Sequence, residues 1–279
     1  MRILQSALLG FLTVLFALPA QAQVAEEKFD LTKVADNVYR FRFLFHRNMI
    51  VVTDEGVIIS DPLSSAAAEV MMAEIKKLTD KPVKYVIYSH NHWDHISGAG
   101  IFKAQGAEIV QHELAAKATR ENPDVVPADI IWFGDRKDIK LGNQTVELHY
   151  VGPSHGEGMT MMRLPSQKIL HTVDVVTPDR VPFTIMPDSI PYKTIEALKI
   201  IETLDFERII PGHGPAEAPR TAVAQQREYL QDLGVAIVNA VKVTKNPFAF
   251  PEINKLVKED LRSKYGAWDH FEDWMGMNV

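Results

Sequence analysis

The run Ser89-His90-Asn91-His92-Trp93-Asp94-His95 packs four metal-competent side chains (His90, His92, Asp94 and His95) into six residues of a chain with only ten histidines. The residues before it, Val83-Lys84-Tyr85-Val86-Ile87-Tyr88, read as a strand. In an extended segment residues i and i+2 share a face, so His90 and His92 can clamp one ion. Asp94 and His95 fall where the chain turns toward a helix, and their diverging side chains suit a second ion nearby. A helical zinc site needs histidines at i and i+4, which this segment lacks. A polar loop whose histidines only hydrogen-bond is the plain alternative, and it leaves the density of ligands unexplained.

Three more candidates follow other strands. His155 lies in Gly152-Pro153-Ser154-His155-Gly156 after a strand at Thr145–Val151. Asp174 follows one at Ile169–Val173, and His213, in Pro211-Gly212-His213-Gly214, follows one at Arg208–Ile210. Singly, each reads as a turn or capping residue. Together they sit at the carboxyl ends of strands, where α/β sheets gather ligands, and the adjoining glycines let the backbone come close. One site then comprises His90, His92 and His155, the other Asp94, His95 and His213, with Asp174 bridging. Such a donor set leaves positions open for water, as a catalytic metal requires.

The elements that position these residues follow from periodicity. Tyr39–Phe43 alternates aromatic and basic residues, and Met49–Thr53 and Val57–Ser60 flank a glycine turn at Asp54-Glu55-Gly56. Helices are predicted over Ala66–Leu78, Thr194–Leu204 and Thr221–Thr244, with Pro247 and Pro251 punctuating a helical tail. The chain of 279 residues is 46% hydrophobic and 24% charged, which fits one α/β domain with mixed sheets and a helical C-terminal extension. Without cysteine there is no disulfide, thiolate nucleophile or iron–sulfur cluster, and nitrogen and oxygen must hold any metal. The net charge of -6 argues against nucleic acid as a partner.

Arg2, the apolar run Ile3–Leu18 and the small-residue pattern Ala20-Gln21-Ala22 read as an export signal over residues 1–22. A periplasmic or secreted protein with no stable membrane insertion after cleavage is the expectation. Residues 23–218 form the domain and 219–279 the extension packed on it. The assembly is a monomer or a homo-oligomer. His46, His112, His149, His171 and His270 lack a motif partner and are expected to be structural or solvated.

H-x-H-x-D-H followed by single His, Asp and His at long intervals resembles the metallo-β-lactamase superfamily of binuclear metallohydrolases, over roughly Phe29 to Gly214. The resemblance implies an αββα sandwich, two mixed β-sheets back to back with helices outside. It implies two divalent cations, zinc first, with iron or manganese as alternatives. It also implies that a hydroxide between the metals attacks an ester, thioester, lactone or lactam-type bond of a small molecule, with Asp94 orienting it and moving its proton. Asp61 of Ser60-Asp61-Pro62 matches a family aspartate that supports the metal loop. Asp174 stands where many true β-lactamases carry Cys or Ser, which turns the reading from β-lactams toward other substrates. A β-lactamase proper, a one-iron sulfur dioxygenase and a non-catalytic periplasmic metal-binding protein are the competing classes. Trp93, Phe183, Met186 and Tyr192 are candidates for an apolar substrate wall, and Arg180 for an anchor of a substrate carboxylate.

Overall fold

A computed structural model of the protein describes residues 28–279; the export signal expected over 1–22 lies outside the described residues. The chain opens as four strands, β1 (Phe29–Ala35), β2 (Val38–Phe43), β3 (His46–Val52) and β4 (Val57–Ser60), paired antiparallel in sequence order. Between β3 and β4, Thr53 Oγ1 accepts the N–H groups of Glu55 and Gly56 at 3.1 Å each, closing the predicted hairpin. Helix α1 (Ser65–Leu78) starts at Ser64, whose side chain accepts the Ala67 N–H, and ends in Lys76 and Lys77, both favourable for the helix ends. Next come β5 (Val83–Ile87), the short helices α2 (Trp93–Ile96) and α3 (Gly100–Lys103), β6 (Glu108–His112), α4 (Glu113–Thr119) and β7 (Ile130–Trp132). Strands β4 to β7 run parallel and complete a seven-stranded sheet in the order β1 to β7.

The second sheet holds β8 (Arg136–Leu141), β9 (Gln144–Tyr150), β10 (Thr160–Leu164), β11 (Ile169–Val173), β12 (Arg208–Pro211) and β13 (Ala218–Pro219), in the order β13-β12-β11-β10-β9-β8. Helix α5 (Pro191–Thr203) joins β11 to the parallel β12. Between the sheets, Val51, Ile58 and Ile87 meet Leu148, Met162 and Ile210. On the outer face of the first sheet, Ile59, Val86 and Ile109 pack with Ala68, Met71 and Ile75 of α1. On the outer face of the second, Met161, Leu170 and Ile209 pack with Leu198 and Ile201 of α5. Met161 and Met162 thus serve opposite cores, as a period of two demands. The result is the αββα sandwich. Strands β1, β7, β8 and β13 escaped the sequence reading: β7 and β13 are short, β8 is mostly charged, and β1 carries Asp30, Thr32 and Lys33 among its apolar residues.

Helices α6 (Thr221–Thr244), α7 (Phe250–Tyr265) and α8 (Phe271–Asn278) make up the extension. Tyr229, Leu233, Val257, Tyr265, Phe271 and Met275 join the same buried cluster as Met161 and Leu170. The tail aromatics therefore pack on their own domain. Among the described residues no helix is long and apolar enough to cross a membrane.

Two parallel registers place the chemistry. Ser60 pairs with Ile87, which sets Asp61 beside Ser89. Val173 pairs with Pro211, which sets Asp174 beside Gly212 and His213. If the extension shares this core energetically, Phe271→Ala lowers stability by about 3–5 kcal/mol and leaves one cooperative urea transition. Two separate transitions, or an unchanged midpoint, would show that the extension folds apart from the sandwich.

Candidate metal centre

Asp174 lies at the middle of the site. Its Oδ2 is 3.0 Å from His95 Nε2, 3.4 Å from His155 Nε2 and 3.6 Å from His90 Nε2, and its Oδ1 is 3.0 Å from His213 Nε2. One set of ligand atoms, from His90, His92, His155 and Asp174, lies within 4.8 Å of one another. Asp94 Oδ2 is 3.8 Å from His95 Nε2. All seven side chains singled out in the sequence meet at one rim, and His90, His92 and His155 share a set with Asp174.

The backbone that delivers them is strained and clamped. Val173 presents Asp174 with φ +42°, a conformation that a β-branched residue rarely adopts and that costs about 1–3 kcal/mol. Its carbonyl accepts the Gly212 N–H at 3.1 Å. A Cβ on Gly212 would lie 3.2 Å from Asp174 Oδ1, and one on Gly156 (φ +87°) 3.0 Å from His92 Nε2. Glycine at both places lets two loops close on the ligands. Asp61, fully buried, accepts the Ser89 N–H through Oδ1 at 2.8 Å and so holds the start of the histidine loop. Asn48 in turn donates to the carbonyls of Ser60 (2.8 Å) and Asp61 (2.9 Å), fixing that strand end.

Hydrogen bonds on the far side of the rings decide which nitrogen faces the centre. His213 donates Nδ1–H to the Phe45 carbonyl at 2.9 Å, which leaves Nε2 as the ligand. Ser89 Oγ sits 2.7 Å from Nδ1 of His90, so Nε2 again points inward. His92 donates Nε2–H to Asp188 Oδ2 at 3.0 Å, which leaves Nδ1. Behind His95, Asp61 Oδ2 is 3.7 Å from Nδ1.

His90 Nε2, both nitrogens of His95 and Asp174 Oδ1 are buried without a hydrogen-bond partner. Orphaned polar atoms are costly, and a cation at the centre of this imidazole–carboxylate set would satisfy them. The donors fit divalent zinc, and also iron or manganese. Burial opposes charge on Asp174, but His95 and His213 hold its carboxyl well below the usual range. Burial likewise raises Asp94, yet the His46 hydrogen bond and the His95 charge bring it to about 2. Burial disfavours a charged His95, but Asp174, with Asp61 and Asp94, outweighs it and lifts that ring to about 9. Burial keeps His155 neutral, at about 4.

Beside the ligands opens a cavity of about 340 Å³, walled by Phe45, Thr177, Arg180, Phe183, Met186 and Trp274. The Arg180 guanidinium lies 4.5 Å over the Trp274 ring, and Phe183 meets that ring edge-on at 5.3 Å. Of the five candidate substrate contacts, Phe183, Met186 and Arg180 line the cavity. Trp93 and Tyr192 do not: each residue is 63% exposed on the surface. Trp93 points away because it opens α2, whose inward side is taken by His95 and Ile96. Tyr192 lies in the first turn of α5, whose inward stripe is Ala197, Leu198 and Ile201.

His46 requires a correction. Expected to be structural or solvated, it sits at the start of β3 with Nε2 3.1 Å from Asp94 Oδ2, its ring 5.0 Å from that of His95 and 4.8 Å from that of His213. The other unpartnered histidines are structural: His112 stacks on Tyr150, His149 meets Glu147, His171 donates to the Ile210 carbonyl and His270 stacks on Trp274. Asp188 was also missed, being one of two acids without a motif in the proline-punctuated segment 178–191. It accepts from His92 and, at 3.3 Å, from Asn91, while its carbonyl accepts the Gly156 N–H. Phe45, Thr177 and Trp274 carried no motif at all.

Two outcomes test this centre. Asp188→Ala, which frees the His92 ring, weakens one cation by about 10–100-fold in chelator competition; unchanged affinity would remove Asp188 from the site. Because, against its burial, Asp174 with Asp61 and Asp94 raises His95 to about 9 in the absence of metal, cation uptake at pH 7 is expected to displace a proton. Affinity therefore rises with pH toward that value, and calorimetric heats scale with the ionisation enthalpy of the buffer. Buffer-independent heats would contradict it.

Against known proteins, the model of the metallo-beta-lactamase superfamily matches residues 42–213. The 2,4-dinitroanisole O-demethylase subunit alpha of Nocardioides sp. (strain JS1661) is 27% identical over 238 residues, 84% of this chain and 72% of that one. A metallo-beta-lactamase from Pontibacter korlensis superposes with a TM-score of 0.66 at 23% identity, covering 73% of this chain and 99% of the other. The inverting sec-alkylsulfatase Pisa1 from Pseudomonas sp. gives a TM-score of 0.69 at 18% identity, covering 84% and 46%. The two structures share the fold, and the family model spans the whole ligand series from His90 to His213: the chain belongs to the metallo-β-lactamase superfamily.

Proposed function

We propose that the protein is a binuclear metal-dependent hydrolase, zinc being the first cation to try, that cleaves an ester, thioester, lactone or lactam-type bond of a small molecule. The observation that carries this is the convergence of His90, His92, Asp94, His95, His155 and His213 around Asp174 at the mouth of an apolar cavity. Bound cations there would lower the pKa of water and polarise the bond under attack.

The chain's own residues do the rest. Asp94 keeps 40% of its side chain exposed, lines the cavity and is ionised. It is the group placed to orient a water, take its proton and return it to the leaving group. Phe45, Phe183, Met186 and Trp274 exclude bulk water and offer a surface for an aromatic or alkyl group, while Arg180 offers a donor to a polar or anionic one. The names of the relatives widen the bonds worth testing to an aryl methyl ether and a sulfate ester. The export signal read over residues 1–22 supports a periplasmic or secreted setting.

The deciding experiment loads the purified protein with zinc, iron or manganese and offers chromogenic esters, thioesters, lactones, β-lactams, aryl sulfates and nitroaryl methyl ethers. At least one is turned over, turnover stops with a chelator and returns with the cation. Asp94→Asn lowers kcat by about 10²–10⁴-fold while retaining metal. Full turnover by a metal-loaded Asp94→Asn protein would defeat the role given to Asp94, and oxygen consumption with one iron per chain would defeat the hydrolase reading.

A further inference from the structure

Extending the two-cation reading, on which it rests, we propose that His46 is itself a metal ligand, joining His95 and His213 to give the second position three imidazoles. One nitrogen from each of these three rings lies within 4.8 Å of the other two. The contact of His46 with Asp94 is 3.1 Å. That matches the 3.0 Å between His95 and Asp174 and the 3.0 Å between His213 and Asp174. Two ligand atoms about 2.1 Å from a common ion, and about a right angle apart, lie about 3.0 Å from each other. A hydrogen bond such as His92 to Asp188 has about the same length, so the clustering of the three rings carries the proposal and this distance is consistent with it.

The backbone supports the same placement. The Phe45 carbonyl accepts Nδ1–H of His213 at 2.9 Å, and the Arg47 N–H donates to the Gly212 carbonyl at 2.9 Å. The residues on both sides of His46 are thus tied to the loop that carries His213, and the two rings are held as a pair. The halves of the site then match, with His90, His92 and His155 on one side of Asp174 and His46, His95 and His213 on the other. Asp94 adds a further oxygen to the second half alone. Five protein donors exceed the four of a tetrahedral zinc site, so the second position suits a cation that accepts five or six ligands, such as manganese or iron.

The test compares wild type, His46→Ala and His46→Gln, the last keeping an amide donor for Asp94. Cations per chain are counted by elemental analysis after equilibration in chelator-buffered zinc and manganese, and X-ray absorption counts the imidazoles per cation. Circular dichroism of the metal-free proteins confirms that each variant folds. Both variants lose affinity for one cation by tenfold or more, with the other unaffected, and at cation concentrations that fill both positions the mean imidazole count is lowered; imidazole added to a His46→Gly protein restores the lost affinity. Two cations at wild-type affinity and imidazole count in His46→Ala overturn the proposal. So does full recovery in His46→Gln, which reduces His46 to a hydrogen-bond donor. A wild-type protein that takes only one cation ends the two-cation reading separately. In that case the proposal stands if His46→Ala lowers that ion's imidazole count and falls if it does not.

Discussion

The structure is organised around a carboxylate that is almost wholly inside the protein. Asp174 has only 7% of its side chain exposed and is surrounded by four imidazoles. A buried charge of that kind is tolerated only where cations or strong donors surround it. The neighbouring features serve that demand: the left-handed turn at Val173 and the bare backbone of Gly212 let the imidazoles close on the carboxylate, and, against burial, Asp174 in turn raises His95. The same demand makes the centre a metal trap, since a cation satisfies the carboxylate and the orphaned ring nitrogens together.

Around this charge the strands serve as fixed struts. Parallel pairing of β4 with β5 and of β11 with β12 fixes which residues emerge side by side at the rim. Every loop that leaves the rim is stitched to a neighbour through backbone groups, as in Leu63 N–H to the His95 carbonyl and Thr160 N–H to the Ser89 carbonyl, at 2.7 and 2.8 Å. Such pre-organisation is what ligands on irregular backbone need to hold a geometry.

The sequence made the strand ends legible because hydrophobic runs stop abruptly there and His or Asp follows within a few residues. His90, His92, Asp94, His95, His155, Asp174 and His213 all obey that grammar, and so does Asp61. His46 does not, because it begins a strand instead of ending one, and its approach depends on a hairpin returning to the rim. Asp188 and Trp274 depend on long-range docking that has no local pattern. For the apolar wall, the proline-punctuated loop was the right place to look. Which residues turn inward was decided by the packing of α2 and α5, so Phe183 and Met186 face the cavity while Trp93 and Tyr192 face solvent.

The position of Trp274 has a consequence for how such a protein can change. The candidate metal-holding groups singled out in the sequence lie between His90 and His213, whereas this indole, stacked between Arg180 and His270, arrives from α8 in the appended helices. One part of the cavity wall is thereby supplied by a different stretch of the chain from the groups around Asp174, while Phe45, Thr177, Arg180, Phe183 and Met186 come from the sandwich itself. A change in the appended helices that moves this indole therefore reshapes one side of the cavity without touching any of the groups around Asp174.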